Sequence, residues 1–133
     1  MESNIKSLSM NNDMMHRNLN SGFSGGERKK NEVLQIKMLK PKFIIFDELD
    51  SVLDVDSLKI VCDNINDYLK DNPDTSVLLI THYTRILNYI KPSFVHMMKD
   101  GTITISGDYN LAKKIEKNGY NMTFDLGETD GVE

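Results

Sequence analysis

The sequence has a single cysteine, Cys62, among its 133 residues. That excludes an internal disulfide, and it excludes a zinc or iron–sulfur centre held by a cysteine cluster of this chain alone. Cys62 lies in an amphipathic stretch, where a buried and inert thiol is the ordinary role and a ligand or nucleophile the exception. No apolar run approaches the ~18 residues that a bilayer-spanning helix needs, and no basic segment followed by an apolar one opens the chain. The chain is therefore expected to be soluble and unsecreted, with no direct membrane insertion. Positive charge is also in short supply, since 16 Lys and Arg face 20 Asp and Glu for a formal net charge of -4. That balance gives no overall drive toward nucleic acid or anionic lipid, so no nucleic-acid partner is expected. A hydrophobic content of 39% suits one modest globular domain.

Residues 1–22 are polar and rich in Asn, Ser and Met, with a short helical possibility around Ile5 to Met15. At Ser24-Gly25-Gly26-Glu27 the pattern changes, because Ser followed three residues later by Glu is a capping box. It predicts a helix to about Leu39, with Val33, Leu34, Ile36, Lys37 and Met38 on or beside the buried face, stopped by Pro41. Phe43-Ile44-Ile45-Phe46 is too short for a helix and too uniformly apolar for a surface strand, so it predicts a strand buried on both faces. Leu58, Val61, Cys62, Ile65 and Leu69 recur at helical spacing and predict a helix from about Val55 to Leu69. After a turn at Asn72-Pro73-Asp74, Val77 to Ile80 predicts a second buried strand. Strand, helix and strand make a right-handed parallel crossover, and the class is α/β. Beyond it the pattern predicts a short helix from Arg85 to Tyr89 and a hairpin of Phe94 to Met98 with Thr102 to Ser106 about Asp100-Gly101. A last helix over Tyr109 to Lys117 is stopped by Gly119. Residues 121–133 read as an acidic, mobile tail.

Ligands of open parallel sheets bind beyond the carboxyl ends of the strands. Asp47 and Glu48 follow the first strand, and Thr81 and His82 follow the second, so two carboxylates and an imidazole converge if the strands are neighbours. Phosphoryl transfer uses such a set, with one carboxylate holding Mg²⁺ and a second group orienting the attacking water. Asp47 suits the first role and Glu48 the second, while a neutral His82 can sense the terminal phosphate. Each also has a plain structural reading, as a polar strand end; their placement after two consecutive buried strands favours chemistry. Ser24 to Glu27 is likewise a good helix start, yet consecutive glycines before a helix let backbone amides approach a phosphate closely.

Taken in order, Phe23-Ser24-Gly25-Gly26-Glu27, Phe43 to Asp47 with Glu48, Ser51-Val52-Leu53-Asp54 and Thr81-His82 resemble the signature, Walker B, D-loop and H-loop of ATP-binding-cassette ATPases. Within that superfamily the chain is similar to the SufC family, the ATPases of the sulfur-mobilising iron–sulfur cluster assembly machine, from about Asn18 to Tyr120. The stretch Gly26 to Glu32, the pair Asp50-Ser51, Thr81-His82-Tyr83, and Leu87 to Pro92 with Val95-His96 carry that similarity. The resemblance implies a partial P-loop NTPase fold, a parallel sheet core with flanking helices and a C-terminal hairpin and helix. Residues 1–22 would belong to a helical subdomain and 23–120 to the C-terminal half of the ATPase domain. It implies that Asp47 coordinates Mg²⁺, Glu48 is the catalytic base, His82 contacts the γ-phosphate and Asp54 couples two protomers. Ser24, Gly25 and Gly26, with Glu27, would bind the ATP held by the opposite protomer of a homodimer. The implied partners are scaffold proteins resembling SufB and SufD, in the cytoplasm or a plastid-type stroma.

Two departures stand out, Leu49 where a small polar residue is usual and Val52 where Gly or Ala is usual; both are expected to loosen or slow a closed dimer. No Gly-x-x-x-x-Gly-Lys-[Ser/Thr] and no upstream glutamine loop occurs, so the chain is not expected to hold ATP unaided. It reads as a fragment of a longer ATPase, expected to fold poorly when isolated. The alternatives are a non-hydrolysing interaction subunit that donates its signature in trans, and a nucleotide-binding subunit of a transporter. Asp50-Ser51 and Thr81-His82-Tyr83 disfavour the transporter.

Overall fold

Helix formation after residue 23 begins with the predicted cap. In the computed structural model, which describes residues 2–10 and 24–119, the Ser24 hydroxyl accepts from Glu27 N–H at 3.2 Å and Ser24 N–H donates to Glu27 Oε2 at 2.8 Å. Two orphan amides are thereby satisfied. The tail over 121–133, Phe23 and residues 11–22 of the polar segment lie outside the described residues. The elements fall into two units, one up to Ile90 and one from Lys91.

The first unit holds α1 (Glu2–Ser7), α2 (Gly25–Leu39), β1 (Phe43–Asp47), α3 (Val55–Asp71) and β2 (Ser76–Ile80), then a 3₁₀ turn over Thr84–Asn88. The helix expected from Ile5 instead ends at Ser7, and Ser9 takes a left-handed φ of 51°. Helix α2 ends where Lys40, also left-handed, donates its N–H to Ile36 O at 2.9 Å just before Pro41. Val33 and Leu34 are buried as expected, but Met38 is not: the last turn is left uncovered, with Met38 51% and Leu39 77% exposed. The 3₁₀ turn replaces the short α-helix expected from Arg85.

Strands β1 and β2 pair in parallel, Phe43 opposite Ser76 through Asp47 opposite Ile80. Both were expected to be buried on two faces. Only one face is covered: Ile44 and Phe46 are buried, while Phe43, Ile45, Leu78 and Ile80 are exposed. The covered face packs into a core with Val33 of α2 and Leu58, Val61, Cys62 and Ile65 of α3, and the described residues supply no layer for the other. Cys62 is wholly enclosed, and burial pushes its thiol up to about 12, with Asp63 and Asp50 adding to the shift. It is the inert core thiol that its position predicts.

One buried polar side chain ties the three helices. Asn64 Oδ1 accepts from Ser7 Oγ at 2.6 Å and from Lys37 Nζ, and Asn64 Nδ2 donates to Ser7 O and Ile60 O at 2.8 Å each. Burial holds the Lys37 ammonium below its ordinary value, with Asp67 and Asp71 opposing. Asn64→Ala removes the bonds to Ser7 O and Lys37 Nζ, while Ser7 Oγ keeps Asn4 O at 2.9 Å, and is expected to cost about 1–3 kcal/mol in chemical denaturation. A midpoint equal to wild type would show that α1 is not held by this contact.

The second unit is an antiparallel hairpin of β3 (Val95–Lys99) and β4 (Thr102–Gly107) followed by α4 (Tyr109–Asn118). Asp100 and Gly101, at φ 50° and 77°, supply the two left-handed residues of a type I′ two-residue hairpin turn. Met97, Leu111 and Ile115 form its small core, Asp108 caps α4 by accepting from Asn110 N–H at 2.9 Å, and Gly119 ends it.

Candidate functional site

The parallel register sets β1 and β2 to end side by side, and Glu48 N–H continues the ladder by donating to Ile80 O at 2.9 Å. Glu48 therefore leaves β1 where Thr81 and His82 leave β2. The two side chains meet, with Glu48 Oε1 3.3 Å from His82 Nδ1 and about half of each side chain open to solvent. Asp47, the last residue of β1, is exposed on the same rim. Of the three residues expected to converge, Glu48 and His82 are in contact, and Asp47 shares the rim as the last residue of β1.

Glu48 occupies the left-handed region, φ 48°, which costs a non-glycine residue of order 1–3 kcal/mol. Its carbonyl accepts from Ser51 N–H at 3.1 Å and Ser51 Oγ at 2.9 Å, which fixes the turn. The same left-handed φ occurs at Ser9, at the Lys40 cap and at the Asp100 turn, so at Glu48 it marks the tight turn by which the chain leaves β1. Among the described residues no group of three or more His, Cys, Asp or Glu could hold a metal. The rim nevertheless suits Mg²⁺, which is held by one or two carboxylates together with substrate phosphates and water.

Ser24 to Glu27 stand elsewhere, at the N-terminus of α2 and against the segment after β1. A Cβ on Gly25 would lie 3.2 Å from Val52 Cβ, and one on Gly26 would lie 3.7 Å from Leu53 Cδ2. Gly25 is thus a position of close approach, and the departure at Val52 fills the space beside it. Leu49, the other departure, is wholly buried and belongs to the core, so within the chain its part is packing.

Asp54 caps α3, accepting from Ser57 N–H at 2.7 Å and Ser57 Oγ at 3.1 Å. The Ser57 backbone bond, then its hydroxyl, holds the Asp54 carboxyl below the ordinary value of 3.8. A depressed folded-state value gives stability that is fully present above the unfolded value and lost as pH falls through the folded one. The margin of wild type over Asp54→Asn, in which the cap is kept and the charge removed, is therefore expected to vanish only below the usual carboxylate range. Denaturation midpoints followed from neutral to acid pH check this; a gap that persists in acid would refute it.

Sequence reasoning missed two residues. Asp50 is wholly buried, accepts from Thr81 Oγ1 at 3.0 Å, and lies with Oδ2 3.7 Å from Arg85 Nε. Arg85 Nη2 also donates to Asp50 O, and to Leu53 O at 3.3 Å. The only signal was the Asp50-Ser51 pair, which pointed to the family without pointing to a partner.

Among known proteins, the chain is 51% identical over 121 residues to a "Probable ABC transporter ATP-binding protein" of Streptococcus pyogenes, covering 90% of this chain and 46% of that protein. It is 48% identical over 120 residues to the "Probable ATP-dependent transporter SufC" of Escherichia coli, covering 90% and 48%. It is 50% identical over 118 residues to the chloroplastic "ABC transporter I family member 6" of Arabidopsis thaliana, covering 89% and 34%. The chain thus spans about half the length, or less, of these relatives. No family model matches. Of solved structures, an ATP-binding cassette of an ABC transporter in its ADP conformation superposes with TM-score 0.62 at 20% identity, over 87% of this chain and 44% of that one. An SMC ATPase superposes with TM-score 0.53 at 28% identity, over 71% and 60%. The fold is that of part of a P-loop NTPase cassette, as the sequence motifs imply.

Proposed function

From the premise that this chain is the C-terminal part of an ATP-binding-cassette ATPase of the SufC family, we propose that it supplies the hydrolytic edge of an ATP-driven machine for iron–sulfur cluster assembly. The observation that carries this reading is the 3.3 Å approach of Glu48 to His82 on the rim where Asp47 ends β1. Bound magnesium would offset the charge of the triphosphate. Asp47 would hold it, and Glu48 would accept the proton of the attacking water. His82 would fix the Glu48 carboxylate from one side and face the terminal phosphate from the other. Ser24, Gly25 and Gly26, with Glu27, would present the start of α2 to ATP held by a second copy, and Asp54 would link the two copies. Closing of that dimer would move scaffold partners resembling SufB and SufD, in cytoplasm or a plastid-type stroma. Among the described residues no helix is long and apolar enough to cross a membrane.

The test is a hybrid polypeptide in which the N-terminal part of the Escherichia coli relative precedes this chain. It is expected to hydrolyse ATP and to capture soluble SufB- and SufD-like scaffolds. Nucleotide binding without turnover would support a subunit that only donates its signature in trans; capture of a membrane permease instead would support a transporter.

A further inference from the structure

Asp50 is two residues beyond Glu48, Thr81 is one residue before His82, and the two meet inside the protein. A threonine hydroxyl has one proton to give. Thr81 Oγ1 has two acceptors in reach, Asp50 Oδ1 at 3.0 Å and Tyr83 O at 3.2 Å, and the carboxylate oxygen is the closer and the stronger. With its proton directed to Asp50, the oxygen is left to accept from Tyr83 N–H at 3.0 Å. His82 is the residue between the two ends of that bond, so the direction of its backbone is set through Thr81 by a carboxylate of the other loop. Arg85 fastens the same loop from behind, through the carbonyls of Asp50 and Leu53. Asp50 Oδ2 and Arg85 Nε are buried without a hydrogen-bond partner and face each other across 3.7 Å.

Core packing alone would be served by an apolar side chain at position 50, since burying a carboxylate is costly and its attraction to the partly exposed Arg85 is weak evidence for stability. What a hydrogen-bonded set adds is one fixed geometry. We propose that Asp50, Thr81 and Arg85 form a clamp that locks the loop after β1 to the loop after β2, making them positioning residues for the Glu48–His82 pair. The clamp stands on the contacts themselves; its consequence for turnover rests on the ATPase reading above.

Hydrogen–deuterium exchange on the 133-residue chain and on the hybrid polypeptide tests it, with Thr81→Val, which keeps shape and removes the hydroxyl, and Thr81→Ser, which keeps the hydroxyl. Thr81→Val is expected to raise exchange about tenfold in residues 48–54 and 81–85 together while α3 stays protected, and Thr81→Ser to restore protection in both. A rise confined to 81–85, a uniform rise that includes α3, or wild-type loops without protection in the hybrid would overturn the clamp. In the hybrid, Thr81→Val is expected to lower kcat by about 10²-fold with nucleotide KM unchanged, and Thr81→Ser to recover it. Unchanged kcat in a hybrid that hydrolyses ATP would overturn the positioning role. A wild-type hybrid without turnover would sink the ATPase reading and leave the exchange result to decide the clamp.

Discussion

Glu48→Gln in the hybrid polypeptide is expected to lower ATP turnover by about 10²- to 10⁴-fold, the range over which a positioned general base contributes. The amide has the size and shape of the carboxylate but does not accept a proton from water. Its oxygen can still face His82 Nδ1, which lies 3.3 Å from Glu48 Oε1, so the rim keeps its geometry. Nothing in the change relieves the left-handed φ of residue 48, because glutamine is as constrained there as glutamate. Thermal stability should therefore match wild type while turnover collapses, and the variant should accumulate as an ATP-bound dimer. Turnover within a factor of about two of wild type would remove Glu48 as the base, since the effect expected of one is far larger.

Leu49→Ser is expected to cost about 2–5 kcal/mol of folding free energy, a large share of the ~5–15 kcal/mol that holds a small domain together. The substitution installs the small polar residue usual at this point of the family pattern. Here the side chain is 0% exposed and packs in the main core, so the change leaves a cavity and a buried hydroxyl together. Val52→Gly, at the neighbouring departure, should be far milder, because Val52 is 53% exposed and touches Gly25 from outside the core. Urea denaturation of the hybrid separates the two, through a shifted midpoint at constant slope for Leu49→Ser only. Equal midpoints for Leu49→Ser and wild type would mean that the core does not depend on residue 49.

What could be read from the sequence was local chemistry. The capping box of Ser24 and Glu27, the left-handed pair Asp100-Gly101 and the end of α4 at Gly119 each depend on residues a few positions apart, and each forms as expected. The meeting of Glu48 with His82 was legible for a different reason: two apolar runs that each end in polar residues place those residues on one rim once the strands pair in parallel. The burial of β1 and β2 was not legible. An apolar run records what a strand is suited to be covered by, and Phe43 and Ile45 have no covering layer among the described residues. Asp50 and Arg85 were invisible because their contact joins residues 35 positions apart through a side chain and a carbonyl. No periodicity or spacing marks such a pair.

The most direct measurement follows the amide and side-chain signals of the ATP-bound hybrid by NMR as Mn²⁺ replaces Mg²⁺, since a paramagnetic ion broadens only the nuclei close to it. Asp47, Glu48, Thr81 and His82 are expected to broaden first and together, while Tyr68 and Thr75, which bond to Pro41 O at the opposite end of β1, stay sharp. Broadening that spares residues 47, 48 and 82, or that reaches only one of the two strand tips, would contradict a shared magnesium–triphosphate site at this rim.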